Sequence, residues 1–283
     1  MLGKVFVSVD AEGLPFIVNP LQLTPGGRLF HELRDVMTKV VSGISETLIE
    51  LGNEVVIADS HGFMVNLDPL KLPAKVRIVR GFPRPLSMVY GSRGCDYAVL
   101  VGYHSGAGRA STLAHTYSSR VVHRLMINNI DASEYVINAL LLGEWGIPVA
   151  LVAGSAELER EVRKFTPWAV WVPLSEPIGY MASISKSIED VINDLRRGVK
   201  EADRRFKAGE VKPLKMNWSE IKLCVELIYP LYAEAASLIP GVRRVNGRTI
   251  CYDCKSIEEA YKVFEAIVFT AGFTAYMQEL LRR

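Results

Sequence analysis

The run VFVSVDAEG, residues 5 to 13, ends a stretch of β-forming residues with two acids one residue apart, Asp10 and Glu12. Side chains alternate faces along a strand, so an extended backbone points both carboxylates the same way, with Ser8 and Phe6 behind them. Two carboxylates on one face repel unless a cation sits between them. A solvated strand end would also carry them, since acids are common in turns. Two histidines tip the balance. His61 stands in ADSHG, just after the apolar run EVVIAD, and His104 in VGYHSGAG, directly after AVLVGY. Ligands of open α/β sheets gather beyond the carboxyl ends of the strands. Three strands that deliver Asp10 with Glu12, His61 and His104 to one sheet edge bring together the carboxylate and imidazole donors of a divalent metal site.

The other histidines and acids carry weaker signals. His115, like His61 and His104, lies in a loop rich in Gly and Ser, where a backbone can approach a ligand closely. His31 falls in the first turns of a long helix and reads as a surface residue; His123 lies inside a strand and reads as packed. Glu134 opens the helical run ASEYVINAL behind two candidate caps, Ser133 and Asp131, and an acid there is ordinarily explained by the helix dipole. Asn138 lies one turn on, so the same face could equally present a carboxylate and an amide to a cleft.

The elements that must position these residues alternate between strand and helix. Leu29, Leu33, Val36, Val40, Ile44 and Leu48 recur at helical spacing from Gly27 to Leu51, and Gly52 stops that helix. Strands follow at 54–59, 75–81, 96–103 and 120–128, then a helix at 132–146 and the strand PVALVAG at 148–154. Apolar strands between amphipathic helices predict an α/β fold, with a mostly parallel or mixed sheet covered by helices on both faces. Beyond it come a helix near SAELEREVRKF, the apolar AVWVPL and a long helix over SKSIEDVINDLRRGVKEADRRF. A linker around Pro213 then leads into strand, helix, strand and a final helix from Ser256. The expected division is a metal-site α/β domain over 1–160 and a smaller C-terminal α/β portion over 161–283, packing on the first and contributing to oligomerisation.

Bulk properties narrow the class. A chain of 283 residues, 49% hydrophobic, buries a large core, near the size at which cores split in two. The 33 basic and 31 acidic residues are well mixed, which leaves no footprint for nucleic acid or an anionic membrane. Only RRFKAGEVKPLK, 204 to 215, is locally basic, as a helix end and linker would be. With neither a signal peptide nor a membrane-spanning apolar run visible, a cytoplasmic location is expected. Cys251 and Cys254 form a single C-x-x-C with no second pair to complete a structural zinc site; they read as buried thiols in the strand TICYDC, with a disulfide between them the alternative.

Taken in order, SVDAEG, DSHG, GYH with His115 eleven positions beyond His104, and Glu134 with Asn138 resemble the zinc-dependent D-aminopeptidases of the dipeptide-transport operon type, which assemble into self-compartmentalising rings. The resemblance covers nearly the whole chain, since GFPRPLSMVYG, PVALVAG, ASLIPG and EEAYKVFEA also fit that pattern. It implies two zinc ions per protomer, with manganese or cobalt able to occupy the same ligands. Asp10 is the implied bridge, Glu12 and His61 complete one metal, His104 and Glu134 the other, and His115 is the catalytic histidine. Three carboxylates and a bridging hydroxide neutralise two divalent ions, so the charges balance.

The implied activity is that of a metalloprotease: hydroxide attack on the N-terminal peptide bond of a short peptide, with a D-residue expected at the N-terminus. His115 then serves as proton donor, oxyanion stabiliser or nucleophile. Asp59, Asn128 and Asn138 are candidates to support the ligands or contact substrate. Ser155 and Ala156 stand after Gly154 where the family often has an acidic pair, and Gly62 and Phe63 follow DSH where a lysine is common; both departures bear on substrate, not on the ligands. The expected partners are short peptides and further copies of the chain, in a ring that is a decamer of stacked pentamers. Two other classes stay open: a dinuclear phosphoesterase using the Arg109 and Ser111 loop, though without a phosphate-cradling Gly loop before a helix, and a non-catalytic metal-binding assembly protein.

Overall fold

The computed structural model describes residues 3–281. In chain order its elements are β1 (Lys4–Val9), α1 (Pro20–Leu23), α2 (Phe30–Glu50), β2 (Glu54–Asp59), β3 (Val76–Val79), β4 (Tyr97–Tyr103), β5 (Val122–Ile127), β6 (Ile130–Asp131), α3 (Glu134–Glu144) and β7 (Val149–Ser155). There follow α4 (Glu159–Phe165), β8 (Val170–Gly179), β9 (Ala182–Ile184), α5 (Ile188–Lys207), β10 (Ile221–Leu227), α6 (Pro230–Ala236), β11 (Arg243–Arg244), β12 (Thr249–Cys254) and α7 (Ile257–Leu280). They fall into two compact units that share the chain by turns: the first takes 1–104, 110–113 and 142–215, the second 105–109, 114–141 and 216–283.

The first unit is built on a seven-stranded sheet in the order β3-β2-β1-β4-β7-β8-β9. Every neighbouring pair from β3 to β8 is parallel, and β9 turns back antiparallel on β8. Val5, Val7 and Val9 of β1, with Val55 and Ile57 of β2 and Val99 and Val101 of β4, present one face to Leu33, Met37, Val40, Ile44 and Leu48 of α2 and to Val191, Leu195 and Val199 of α5. Parallel strands need such cover because crossover helices lie on the sheet's faces. Strand order reverses between β1 and β4: from β1 the chain moves outward to β2 and β3, then returns on the other side. The carboxyl ends of β1 and β4 therefore flank a topological switch point, where open α/β sheets bind ligands.

The second unit carries a five-stranded antiparallel sheet, β11-β12-β10-β5-β6. The run at 120–128, which reads like the other strands of the series, belongs here and pairs with β10. An apolar run signals a strand but not its sheet, and only the alternation within it distinguishes the two cases. Val122, Leu125 and Ile127 are buried while His123 and Arg124 are exposed, as on a sheet with one wet face. His123 is thus a surface residue, contrary to the packed position expected for it.

The cysteines also pair differently from the expectation. Cys224 is bonded to Cys251, its register partner across β10 and β12, while Cys95 and Cys254 are free and buried. Residues three apart on one strand point to opposite faces, so the C-x-x-C spacing cannot close on itself within β12. On α7, Tyr261, Phe264 and Ile267 are buried, whereas Phe269, Phe273 and Tyr276 are exposed.

Candidate metal centre

The end of β1 meets the end of β4 at backbone contact. The Asp10 N–H donates to the Val101 carbonyl at 2.8 Å and the Gly13 N–H to the Gly102 carbonyl at 2.8 Å. A Cβ on Gly13 would lie 1.9 Å from the Tyr103 carbonyl oxygen, and Gly102 has φ +74° with no room for a side chain beside Asp10. Two glycines thus let the two strand ends close together, and Asp10, Glu12 and His104 are carried in with them. His61 arrives from the neighbouring β2. All four side chains are buried.

Asp10 turns one oxygen to each histidine. Its Oδ1 is 3.4 Å from His61 Nδ1 and its Oδ2 is 3.4 Å from His104 Nε2, while Glu12 Oε2 is 3.0 Å from His61 Nδ1. Ligands at zinc distances on a tetrahedron are separated by roughly 3.3 to 3.6 Å. Asp10, Glu12 and His61 offer ligand atoms that all lie within 4.8 Å of one another. The donor set, two carboxylates and imidazoles in a buried position, fits zinc. Without a metal the same contacts act on a proton: burial pulls the His61 pKa down, but Glu12 and Asp10 outweigh it and hold the imidazolium well above the ordinary 6.5.

The support around His61 suits a ligand. Its Nε2 is 2.9 Å from the Leu23 carbonyl, so an N–H there leaves Nδ1 facing the acids. Asp59 holds the following loop: its Oδ2 accepts from the Asn66 N–H at 2.6 Å and the Leu67 N–H at 2.8 Å, and its Oδ1 from Asn66 Nδ2 at 2.7 Å. Asn66 Nδ2 also donates to the His61 carbonyl at 2.7 Å. Asp59 therefore acts on His61 through Asn66.

The second unit brings His115 and Glu134 together, with His115 Nε2 3.6 Å from Glu134 Oε1. Glu134 is the first residue of α3, and of the two candidate caps it is Ser133 whose hydroxyl accepts the Val136 N–H at 3.2 Å. Glu134 Oε1 also accepts the Tyr117 N–H at 2.6 Å. Asn138 is fully buried, and its Oδ1 accepts from Tyr261 at 2.9 Å and Tyr117 at 3.2 Å. Asn128 sits at the end of β5 with φ +53°, its amide accepting the Lys222 N–H at 2.8 Å and donating to the Glu220 carbonyl at 3.1 Å. Tyr117 and Tyr261 escape a reading of the sequence, since nothing in AHTYSS or EEAYKV marks either as more than an ordinary tyrosine.

The chain resembles known proteins along nearly its whole length. A family model described as D-aminopeptidase matches residues 3–266. A D-aminopeptidase of Bacillus subtilis (strain 168) is 28% identical over 283 residues, spanning 96% of this chain and 99% of its own. A solved structure described as the Zn-dependent D-aminopeptidase DppA from Bacillus subtilis, a self-compartmentalizing protease, superposes with a TM-score of 0.90 at 26% identity, covering 95% of this chain and 98% of that one.

Proposed function

Since the chain belongs to the D-aminopeptidase family, we propose that it removes a D-amino acid from the N-terminus of short peptides, using two zinc ions per protomer. One observation supports the metal count: Asp10 turns a separate oxygen to each of two histidines, both at 3.4 Å, as a carboxylate bridging two ions through both oxygens would. Glu12 and His61 would complete one ion. His104 would hold the other with Glu134, which is assigned to it by the family pattern. Bound zinc supplies an acidified water and a Lewis acid for the scissile carbonyl.

The chain's own residues do the rest. Asp10, Glu12 and Glu134 bring three negative charges, which offset most of the charge of two divalent ions. His115 holds a proton at Nε2 and delivers it to the leaving amine, whose departure as an anion would otherwise dominate the barrier. Asn66 and Asp59 fix His61 in place. The relative described as self-compartmentalizing supports assembly of this chain into a ring, which we assign as a cytoplasmic homodecamer with the exposed aromatic face of α7 among its contacts.

The test is elemental analysis of the purified protein joined to assays on a D-alanyl anilide, its L-isomer and an aryl phosphate. About two zinc ions per protomer and preferential cleavage of the D-anilide are expected. One ion or none would remove the dinuclear reading, and hydrolysis of the phosphate alone would replace the peptidase with a phosphoesterase.

A further inference from the structure

Tyr117 lies two residues beyond His115, and its backbone is left-handed, with φ +58°. A bulky aromatic residue rarely adopts that conformation unless its surroundings impose it. Here the ring does so from the other end. It stacks edge-on against Phe264 of α7 at 5.0 Å and against Tyr261 at 6.0 Å. Its hydroxyl meets the Tyr261 hydroxyl and donates to Asn138 Oδ1 at 3.2 Å. With the ring locked to α7 and α3, the left-handed turn aims the main-chain N–H at the Glu134 carboxylate, 2.6 Å away, instead of at a backbone carbonyl.

We infer that Tyr117 is a positioning residue: anchored by its ring, it fixes the Glu134 carboxylate and the segment that carries His115. The inference rests on the proposed function, in which Glu134 is a zinc ligand. A N–H bond to one carboxylate oxygen sets the rotation of the carboxyl group and leaves the other oxygen directed. Partners of this kind commonly govern metal affinity by about ten- to a hundredfold. A tyrosine that merely fills the core would act on stability alone.

The experiment compares Tyr117→Phe, Tyr117→Ala and a control core truncation, Ile250→Val in β12. Zinc dissociation constants come from competition with a chromophoric chelator, and melting temperatures are taken on the same samples. For Tyr117→Ala the zinc that Glu134 would hold should bind about ten- to a hundredfold less tightly, with kcat reduced more than KM is raised. Tyr117→Phe keeps the ring contacts and should restore most of that affinity. Ile250→Val should lower the melting temperature and leave both zinc constants unchanged. The inference is overturned if Tyr117→Ala binds both ions like the parent, or if zinc affinity merely follows melting temperature across all three variants. Should Tyr117→Ala not fold, Tyr117→Leu decides, since it fills the space but loses the ring and hydroxyl anchors: a weakened zinc constant with a near-parental melting temperature supports the inference, and an unchanged constant overturns it. A parent protein that itself binds fewer than two zinc ions fails at the proposed function, a result read separately from any variant.

Discussion

Replacing Asp59 tests whether the loop after β2 is held by acceptor count or by charge. The carboxylate is fully buried and accepts three hydrogen bonds, two from the main chain at Asn66 and Leu67 and one from the Asn66 amide. A hydrogen bond to a charged group contributes about 1.5–3 kcal/mol net. The three donors lie on two adjacent residues and relax together, so Asp59→Ala should cost about 4 kcal/mol, below the simple sum. At about 2–4 °C per kcal/mol for a chain of this size, the melting temperature should drop by roughly 8–16 °C. Asp59→Asn keeps one oxygen for the two main-chain donors and sets its own amide against that of Asn66, so about half the loss is expected. Urea unfolding of metal-free protein, followed by circular dichroism, measures both. Zinc content of the refolded variants then reads the second consequence: Asn66 also holds the His61 carbonyl, so the alanine variant should lose zinc and the asparagine variant keep most of it. Equal losses for Ala and Asn would show that charge, not acceptor count, fixes the loop, and a loss below about 1 kcal/mol for Ala would refute the reasoning altogether.

Asp10→Asn should empty or scramble both metal positions, whereas Glu12→Gln should weaken one and respond to added zinc; elemental analysis of folded variants distinguishes them, and full metal content in both would remove the two acids from the ligand set. Denatured without reductant, the protein should yield two thiols from its four cysteines, because Cys224 and Cys251 are bonded. In the native state Cys95 and Cys254 should resist alkylation at pH 8, since burial pushes each thiol up to about 11 and leaves little thiolate. Phe273→Asp, on the exposed face of α7, should shift light scattering towards smaller species without lowering the melting temperature by more than a few degrees; an unchanged mass would clear that face of any part in assembly.

How much of this was legible in the sequence depends on what kind of signal each residue carries. Asp10, His61 and His104 could be read because each follows an apolar strand and strand ends have a known chemical use. The parallel sheet was legible for the same reason, in its unbroken apolar runs. The antiparallel sheet was not. Its strand at 120–128 looks like its neighbours in sequence, and its partner β10 lies some ninety residues further on, where no local pattern points back. The disulfide between Cys224 and Cys251 depends on that same register, so it stays hidden behind the more visible C-x-x-C. Asp59 was legible as a polar residue near the site, but its work in holding Asn66 and Leu67 is a matter of loop geometry. Tyr117 is harder still, because what sets it apart is a backbone angle.

The two acids at the end of β1 make metal binding and proton binding alternatives. Buried carboxylates are costly unless something positive accompanies them, and in the metal-free chain that charge is the His61 proton. Burial disfavours the imidazolium, yet Glu12 and Asp10 outweigh it and raise the pKa well above 6.5. The sign follows directly. This ion pairing stabilises the metal-free protein fully below the unfolded pKa near 6.5 and is lost as pH climbs through the higher folded value. Zinc needs the neutral imidazole, so it must displace that proton, and its binding tightens as pH rises over the same interval. Metal-free protein should therefore lose stability above neutrality while zinc-loaded protein does not, and the gap between their melting temperatures should widen with pH. Melts of both forms between pH 6 and pH 9 measure it, with calorimetry in buffers of different ionisation enthalpy to count the proton released. A gap independent of pH, or zinc binding without proton release, would mean that His61 is already neutral beside Asp10 and Glu12. The two carboxylates would then be accompanied by some cation other than the imidazolium.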